Sequence, residues 1–250
     1  MELCEELLSL KDRIAQEKIK ISKSEIISLI DLTLLDEQAL ESDILALGEK
    51  AVTHQVAAIC VYPKHLTLLK NFPIKKATVI NFPSGEEPQE DVTYRLKTLL
   101  EEQTVDEIDY VFPYRSYLSG EKKLALSYCK KNLELAKEYN KVFKVILETG
   151  EIEELHEIFE MSSAIAKLGC HFLKTSTGKT KEGASMPAVF AMLSALKKIN
   201  SSCGVKVSGG VKTITQAQEY IALAKIVMNK EIHSNWFRIG ASGLLDQCTM

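Results

Sequence analysis

The sequence predicts a (β/α)8 barrel of the α/β class, preceded by an N-terminal helical extension. Three observations carry that expectation. Eight short runs rich in Val, Ile and Phe recur along the chain, stretches of helical periodicity lie between most of them, and no glycine-rich turn follows the first run.

The first four runs are SLIDLT (28–33), VAAICVY (56–62), ATVINF (77–82) and EIDYVF (107–112). The second four are VFKVILET (142–149), HFLKTS (171–176), GVKVS (204–208) and WFRIG (236–240). Short apolar runs of this kind suit parallel strands buried on both faces. The clearest helical stretches are EDVTYRLKTLLEEQ (90–103), KKLALSYCKKNLELAKEY (122–139), EIEELHEIFEMSSAIAKLG (151–169) and MPAVFAMLSALKKIN (186–200). In these, Leu and Ile recur at three- and four-residue steps, with Glu and Lys on the opposite face. Gly169 stands where a helix C-cap is expected. The competing architecture, a doubly wound open sheet, needs a glycine-rich turn after an early strand, and IDLTLL holds no glycine. The expected organisation is therefore a helical extension over residues 1–25 and one catalytic barrel over 26–250. The extension could cap the barrel bottom or join two copies.

Bulk properties exclude several classes. With 46% hydrophobic and 26% charged residues and a net charge of −3, nothing draws this chain to nucleic acid or an anionic membrane. No run of 18 apolar residues is present, so no transmembrane helix is expected. The start, MELCEELLSLKDRIAQ, is acidic and amphipathic, unlike a secretory signal. Six scattered cysteines, none in C-x-x-C spacing, read as free thiols of a cytoplasmic protein. No metal is expected either. His156-Glu157 begins like a zincin motif, but no second histidine follows at helical spacing.

Four ionisable residues interrupt otherwise apolar strands: Asp109, Lys144, Lys174 and Lys206. Their separations of 35, 30 and 32 residues are each one βα repeat, which puts them on four consecutive strands. Such residues are seldom buried unless paired or functional. One reading is a core ion cluster, Asp109 against Lys144, with the other lysines reaching solvent. The other is chemical. A desolvated ammonium beside a second cation loses proton affinity, leaving a neutral amine able to attack an aldehyde. Lys174 and Lys206 are the natural pair, because each precedes small polar residues at a strand's carboxyl end, where barrels carry their chemistry. Asp109 would relay protons. Lys144 either tunes Asp109 or neutralises it. Asp31 closes the first strand towards the same rim and reads equally as a ligand or a turn residue.

A phosphate would sit on the loops after the last strands. Ser208-Gly209-Gly210 and Gly240-Ala241-Ser242-Gly243 occupy those positions, and Thr177-Gly178-Lys179 could complete the cradle. Glycines let backbone N–H groups approach an anion, although each cluster alone reads as a tight turn. Gly178-Lys179-Thr180 imitates the end of a P-loop, but the required earlier glycine falls on Leu173.

The chain resembles the deoxyribose-phosphate aldolases. The matching stretches are IDLTLL (30–35), AAICVYP (57–63), NFPSG (81–85), DEIDYVFPYR (106–115), KVILETG (144–150), FLKTSTGK (172–179), VKVSGGVKT (205–213) and RIGASG (238–243). The resemblance implies a cofactor-free class I aldolase of deoxyribose phosphate catabolism. It would cleave 2-deoxy-D-ribose 5-phosphate reversibly to D-glyceraldehyde 3-phosphate and acetaldehyde. It implies a Schiff base on Lys174, with Lys206 and Asp109 in the proton relay, and phosphate contacts at Gly209, Gly210 and Ser242. A homodimer is expected by the same analogy. Three features depart from the family pattern. The chain ends DQCTM where some members end in a tyrosine tail, Gly243 replaces a second serine, and Lys212 stands where others carry Arg. Two rival classes share the glycine loops: another phosphate-binding barrel enzyme, and a non-catalytic binder.

Overall fold

The computed structural model describes residues 2–102 and 104–250. Met1 of the expected extension and Gln103, the last residue of the expected helix 90–103, lie outside them. Eight parallel strands close into a barrel in sequence order, β1 pairing with both β2 and β8. They are β1 (Ile30–Leu34), β2 (Ala58–Val61), β3 (Lys76–Ile80), β4 (Glu107–Val111), β5 (Val142–Ile146), β6 (Phe172–Lys174), β7 (Gly204–Ser208) and β8 (Phe237–Ala241). Every residue of β2, β4, β6 and β7 is buried, as a barrel wall between core and helices requires.

Three helices precede the barrel: α1 (Glu2–Ser9), α2 (Lys11–Lys18) and α3 (Lys23–Ile27). Around the wall run α4 (Glu41–Thr53), α5 (Gln89–Glu101), α6 (Tyr114–Leu118) and α7 (Lys122–Glu138), then α8 (Leu155–Ala166), α9 (Met186–Lys198), α10 (Ile214–Met228) and α11 (Leu244–Thr249). After β2 the connection is a 3-10 turn, Pro63–Leu69, whose proline occupies a first position that needs no N–H partner.

Local sequence explains the ends that matter to the rim. Ser185 Oγ accepts from the Ala188 N–H and opens α9. Thr213 and Gln216 form a reciprocal capping box that opens α10. Gly169 adopts φ +85° between α8 and β6, a left-handed geometry glycine takes without steric cost. The expected helix 151–169 begins only at Leu155, because residues Thr149–Glu151 form a 3-10 turn led by Glu148 in left-handed backbone.

The N-terminal helices lie on the outer helical layer. Ile14, Ile21 and Ile26 are buried, Lys18 pairs with Glu219 of α10 at 2.7 Å, and Gln218 Nε2 donates to the Ile21 carbonyl at 2.9 Å. The expected boundary at 25/26 falls inside α3. Among the described residues, no helix is long and apolar enough to cross a membrane.

Candidate active site

Parallel pairing sets the ionisable residues side by side. Asp109 pairs in register with Lys144, Lys174 with Lys206, and Lys206 with Arg238. All of these, with Asp31 and Glu107, are at most 2% exposed. Groups so buried need partners, and the partners form a pattern.

Six of the side chains make a closed ring of alternating sign. Arg238 Nη1 meets Asp31 Oδ1 at 2.5 Å, and the other oxygen of Asp31 meets Lys206 Nζ at 2.6 Å. Lys206 Nζ donates to Asp109 Oδ2 at 2.8 Å, and Asp109 Oδ1 accepts from Lys144 Nζ at 2.7 Å. Lys144 then meets Glu107 Oε2 at 2.6 Å, and Glu107 Oε1 accepts from Arg238 Nη2 at 3.1 Å. Three carboxylates thus alternate with three cations. Lys174 stands outside the ring, tied to it only through Asp109 Oδ2 at 2.8 Å.

Proton affinities follow from that arrangement. Burial is the largest influence on Lys174 and pushes its amine below the ordinary lysine range; Asp109 opposes this and the Lys206 ammonium adds to it. The second cation expected to keep the amine neutral therefore acts, but second to desolvation. Burial would also lower Lys206 and Lys144, yet Asp109 and Asp31 hold Lys206 above its ordinary value, and Asp109 and Glu107 hold Lys144 above its own. Burial works to raise both aspartates, and the surrounding cations outweigh it. Asp31 and Asp109 are held below the ordinary carboxylate range.

Above this layer a cleft of about 610 Å³ opens at the carboxyl ends of the strands. Lys174 forms part of its wall. Thr177, Gly178, Lys179, Gly209, Gly210 and Ser242 share that wall, drawn together from the loops after β6, β7 and β8. Gly178, Gly209 and Gly210 have φ of +79°, +86° and +86°, which aims their peptide groups in ways an L residue resists. Lys179 Nζ reaches the Leu35 carbonyl at 2.6 Å. Thr177 spends its polar groups on Glu148. Its hydroxyl donates to Glu148, its N–H reaches both Glu148 oxygens at 3.2 Å, and Thr180 Oγ1 donates to the same carboxylate at 3.3 Å.

One expectation changes. Asp31 does not reach the cleft; it is fully buried in the ring, where Arg238 and Lys206 occupy its oxygens, so it cannot contact a phosphate. Lys144 does meet Asp109, as a residue that tunes or neutralises it must, and it also bonds Glu107 as a member of the ring. Three functional-looking residues escaped the sequence reading. Glu107 lies two residues before Asp109 and so on the same strand face, and Arg238 interrupts WFRIG. Both signals were present. Glu148, by contrast, follows β5 in a left-handed turn that nothing local announces. Cys60 is buried with Leu35, Ala77 and Val79, and burial pushes its thiol up.

A closed barrel with ionisable side chains beneath an open cleft at its carboxyl rim defines the class, a (β/α)8 enzyme barrel. The particular family follows from comparison. The family model for DeoC/LacD family aldolases matches residues 25–249, and the chain belongs to that family. It is similar to a solved deoxyribose phosphate aldolase from Aeropyrum pernix, described as a unique tetramer. Identity is 26%, TM-score 0.78, and the match covers 95% of this chain and 94% of that one. A Coccidioides immitis structure provisionally named a deoxyribose-phosphate aldolase shares the fold, with 24% identity, TM-score 0.80 and 98% of each chain covered. The protein is thus an aldolase, a carbon–carbon lyase, on a (β/α)8 barrel.

Proposed function

We propose that this aldolase cleaves 2-deoxy-D-ribose 5-phosphate reversibly to D-glyceraldehyde 3-phosphate and acetaldehyde, through a Schiff base on Lys174. One observation carries the reading. Of the four buried cations, Lys174 alone faces the cleft, and it has one carboxylate partner where each of the others has two or three.

The chemistry follows from that amine. Neutral Lys174 attacks C1 of the open-chain sugar, and loss of water leaves a protonated imine. A water held by Asp109 and Lys206 takes the proton of the C3 hydroxyl. The C2–C3 bond breaks, its electron pair moves toward the imine nitrogen, and glyceraldehyde 3-phosphate departs from an enamine on Lys174. Protonation at C2 and hydrolysis release acetaldehyde and restore the amine. Proton transfer of this kind contributes on the order of a hundred- to ten-thousand-fold in rate. The phosphate binds at Gly209, Gly210 and Ser242, with Lys179 and Lys212 supplying positive charge. The same reading puts the protein in the breakdown of deoxyribose phosphates. It also includes self-association. The tetramer named for the Aeropyrum pernix protein widens the expected homodimer, and sedimentation velocity gives the number of copies.

The test is borohydride reduction in the presence of acetaldehyde, followed by mass mapping. Reductive ethylation at Lys174, with turnover of the deoxypentose phosphate in a panel of sugar phosphates, is the expected result. A label on another lysine, or none, sinks the Schiff-base assignment. A preference for another sugar sinks the substrate.

A further inference from the structure

Arg238 does not line the cleft, yet it closes the ring beneath Lys174. Its guanidinium bridges Asp31 and Glu107, its Nε donates to the Ser234 carbonyl, and it lies 5.7 Å over the Phe172 ring. A guanidinium stays charged at any working pH, whereas an ammonium can give its proton up. The ring therefore contains one charge that is fixed and two that are held by its carboxylates. With Arg238 present, three cations already match Asp31, Glu107 and Asp109, and a protonated Lys174 would be a fourth cation against the same buried carboxylates.

We propose that Arg238 is a positioning residue that selects the working amine: by completing the alternating ring from below, it leaves Lys174 as the surplus amine of the core. This inference rests on the Schiff-base reading above. Without Arg238 the ring opens between Asp31 and Glu107. Three carboxylates then face only Lys144, Lys174 and Lys206, and a protonated Lys174 restores neutrality.

Other groups around the ring do not upset the balance. On the β2 side stands Cys60, whose thiol is pushed up by burial and stays neutral. From β3 the buried neighbour is Thr78, whose hydroxyl donates to the Val61 carbonyl at 2.7 Å. Beyond β5, Glu148 spends its bonds on Thr177 and Thr180, and burial raises its carboxyl towards the neutral form. His171, ahead of β6, accepts from the Phe143 N–H and is pushed down, chiefly by burial, so it too stays uncharged at neutral pH.

The experiment compares the pH profile of kcat/KM for three variants with that of the unmodified enzyme. Arg238→Met removes a cation, so the limb set by Lys174 moves up on the order of one pH unit, with about a tenfold loss at neutral pH that higher pH restores. Glu107→Gln removes a carboxylate, so the limb moves down. The double variant removes one of each and returns the limb close to its original place. A purely structural role for Arg238 predicts lower activity and lower Tm with no displacement of the limb. Unmoved limbs, or limbs displaced in the same direction by both single changes, overturn the proposal. If Arg238→Met fails to fold, Glu107→Gln against the double variant makes the same decision. Failure of borohydride trapping in the unmodified enzyme would instead strike the Schiff-base reading itself, so the two outcomes stay distinct.

Discussion

Lys174 and Lys206 meet at a single atom: each places Nζ 2.8 Å from Oδ2 of Asp109. Two ammonium groups on one oxygen repel each other, and the amine with fewer carboxylates yields. Lys206 also holds Asp31 at 2.6 Å and keeps its proton, while Lys174 has only the shared oxygen. Lys206→Leu removes the repulsion and gives Lys174 sole use of Asp109 Oδ2, since Lys144 holds the other oxygen. Activity at neutral pH should fall by about a hundredfold or more, through lost proton transfer and a re-protonated amine. Part of that loss should return as pH rises, which a pH series on the purified variant would reveal. A loss independent of pH would show that Lys206 does not act on the amine.

Asp109 is the one carboxylate that three lysines address. Asp109→Asn keeps the shape and removes the charge, leaving Lys144, Lys174 and Lys206 crowded and less compensated. Breaking a buried pair from one side costs about 3–5 kcal/mol, and here three pairs share the carboxylate. A clear drop in the urea midpoint, together with loss of turnover, is expected. An unaltered midpoint would mean that the core admits water or that the lysines reorient, and the closed ring would be the wrong description.

The barrel was legible in the sequence because its walls leave no choice. Buried parallel strands must be short and apolar, and each of the eight runs covers its strand to within one residue. The row Asp109, Lys144, Lys174, Lys206 was legible for the converse reason, since charge inside an apolar run stands out. The ring was not. Glu107 opens its strand where charge is ordinary, and Arg238 looks like a lone rim residue until β8 closes against β1. Depth was equally hidden. Asp31 was expected to close the first strand, but β1 runs on to Leu34 and leaves Asp31 near its amino end, sealed in the ring, whereas Lys174 is the last residue of β6 and faces the cleft. Thr177 was expected at the cradle, and its hydroxyl goes instead to Glu148, which a linear motif cannot foresee.

The ring should also shape stability against pH. Asp31 and Asp109 are held below their unfolded-state values, so their contribution is fully present above about pH 4. It is lost as pH falls through that value towards the lower folded ones, because the unfolded chain then takes up protons the native state refuses. Urea unfolding between pH 7 and pH 3 should show stability declining from about pH 5 downward. Asp31→Asn should lower stability at neutral pH and flatten that decline. A decline of undiminished slope in the variant would mean that other carboxylates govern acid unfolding.

Gly183 separates the phosphate role of the Gly209–Gly210 turn from its merely structural one. A Cβ on Gly183 would lie 2.2 Å from the Gly209 carbonyl oxygen and 2.5 Å from its carbon, so Gly183→Ala must displace the Gly209 backbone. The neighbouring Ala184 N–H donates to that same carbonyl at 2.9 Å, so the segment has little room to retreat. If the turn grips phosphate, Gly183→Ala should raise KM for a phosphorylated substrate about tenfold or more, with kcat changed far less, since uniform binding is what is lost. Cleavage of the matching unphosphorylated deoxypentose should hardly change. An equal loss on both substrates would show that the turn supports the rim without holding the anion, and the phosphate would have to sit elsewhere in the cleft.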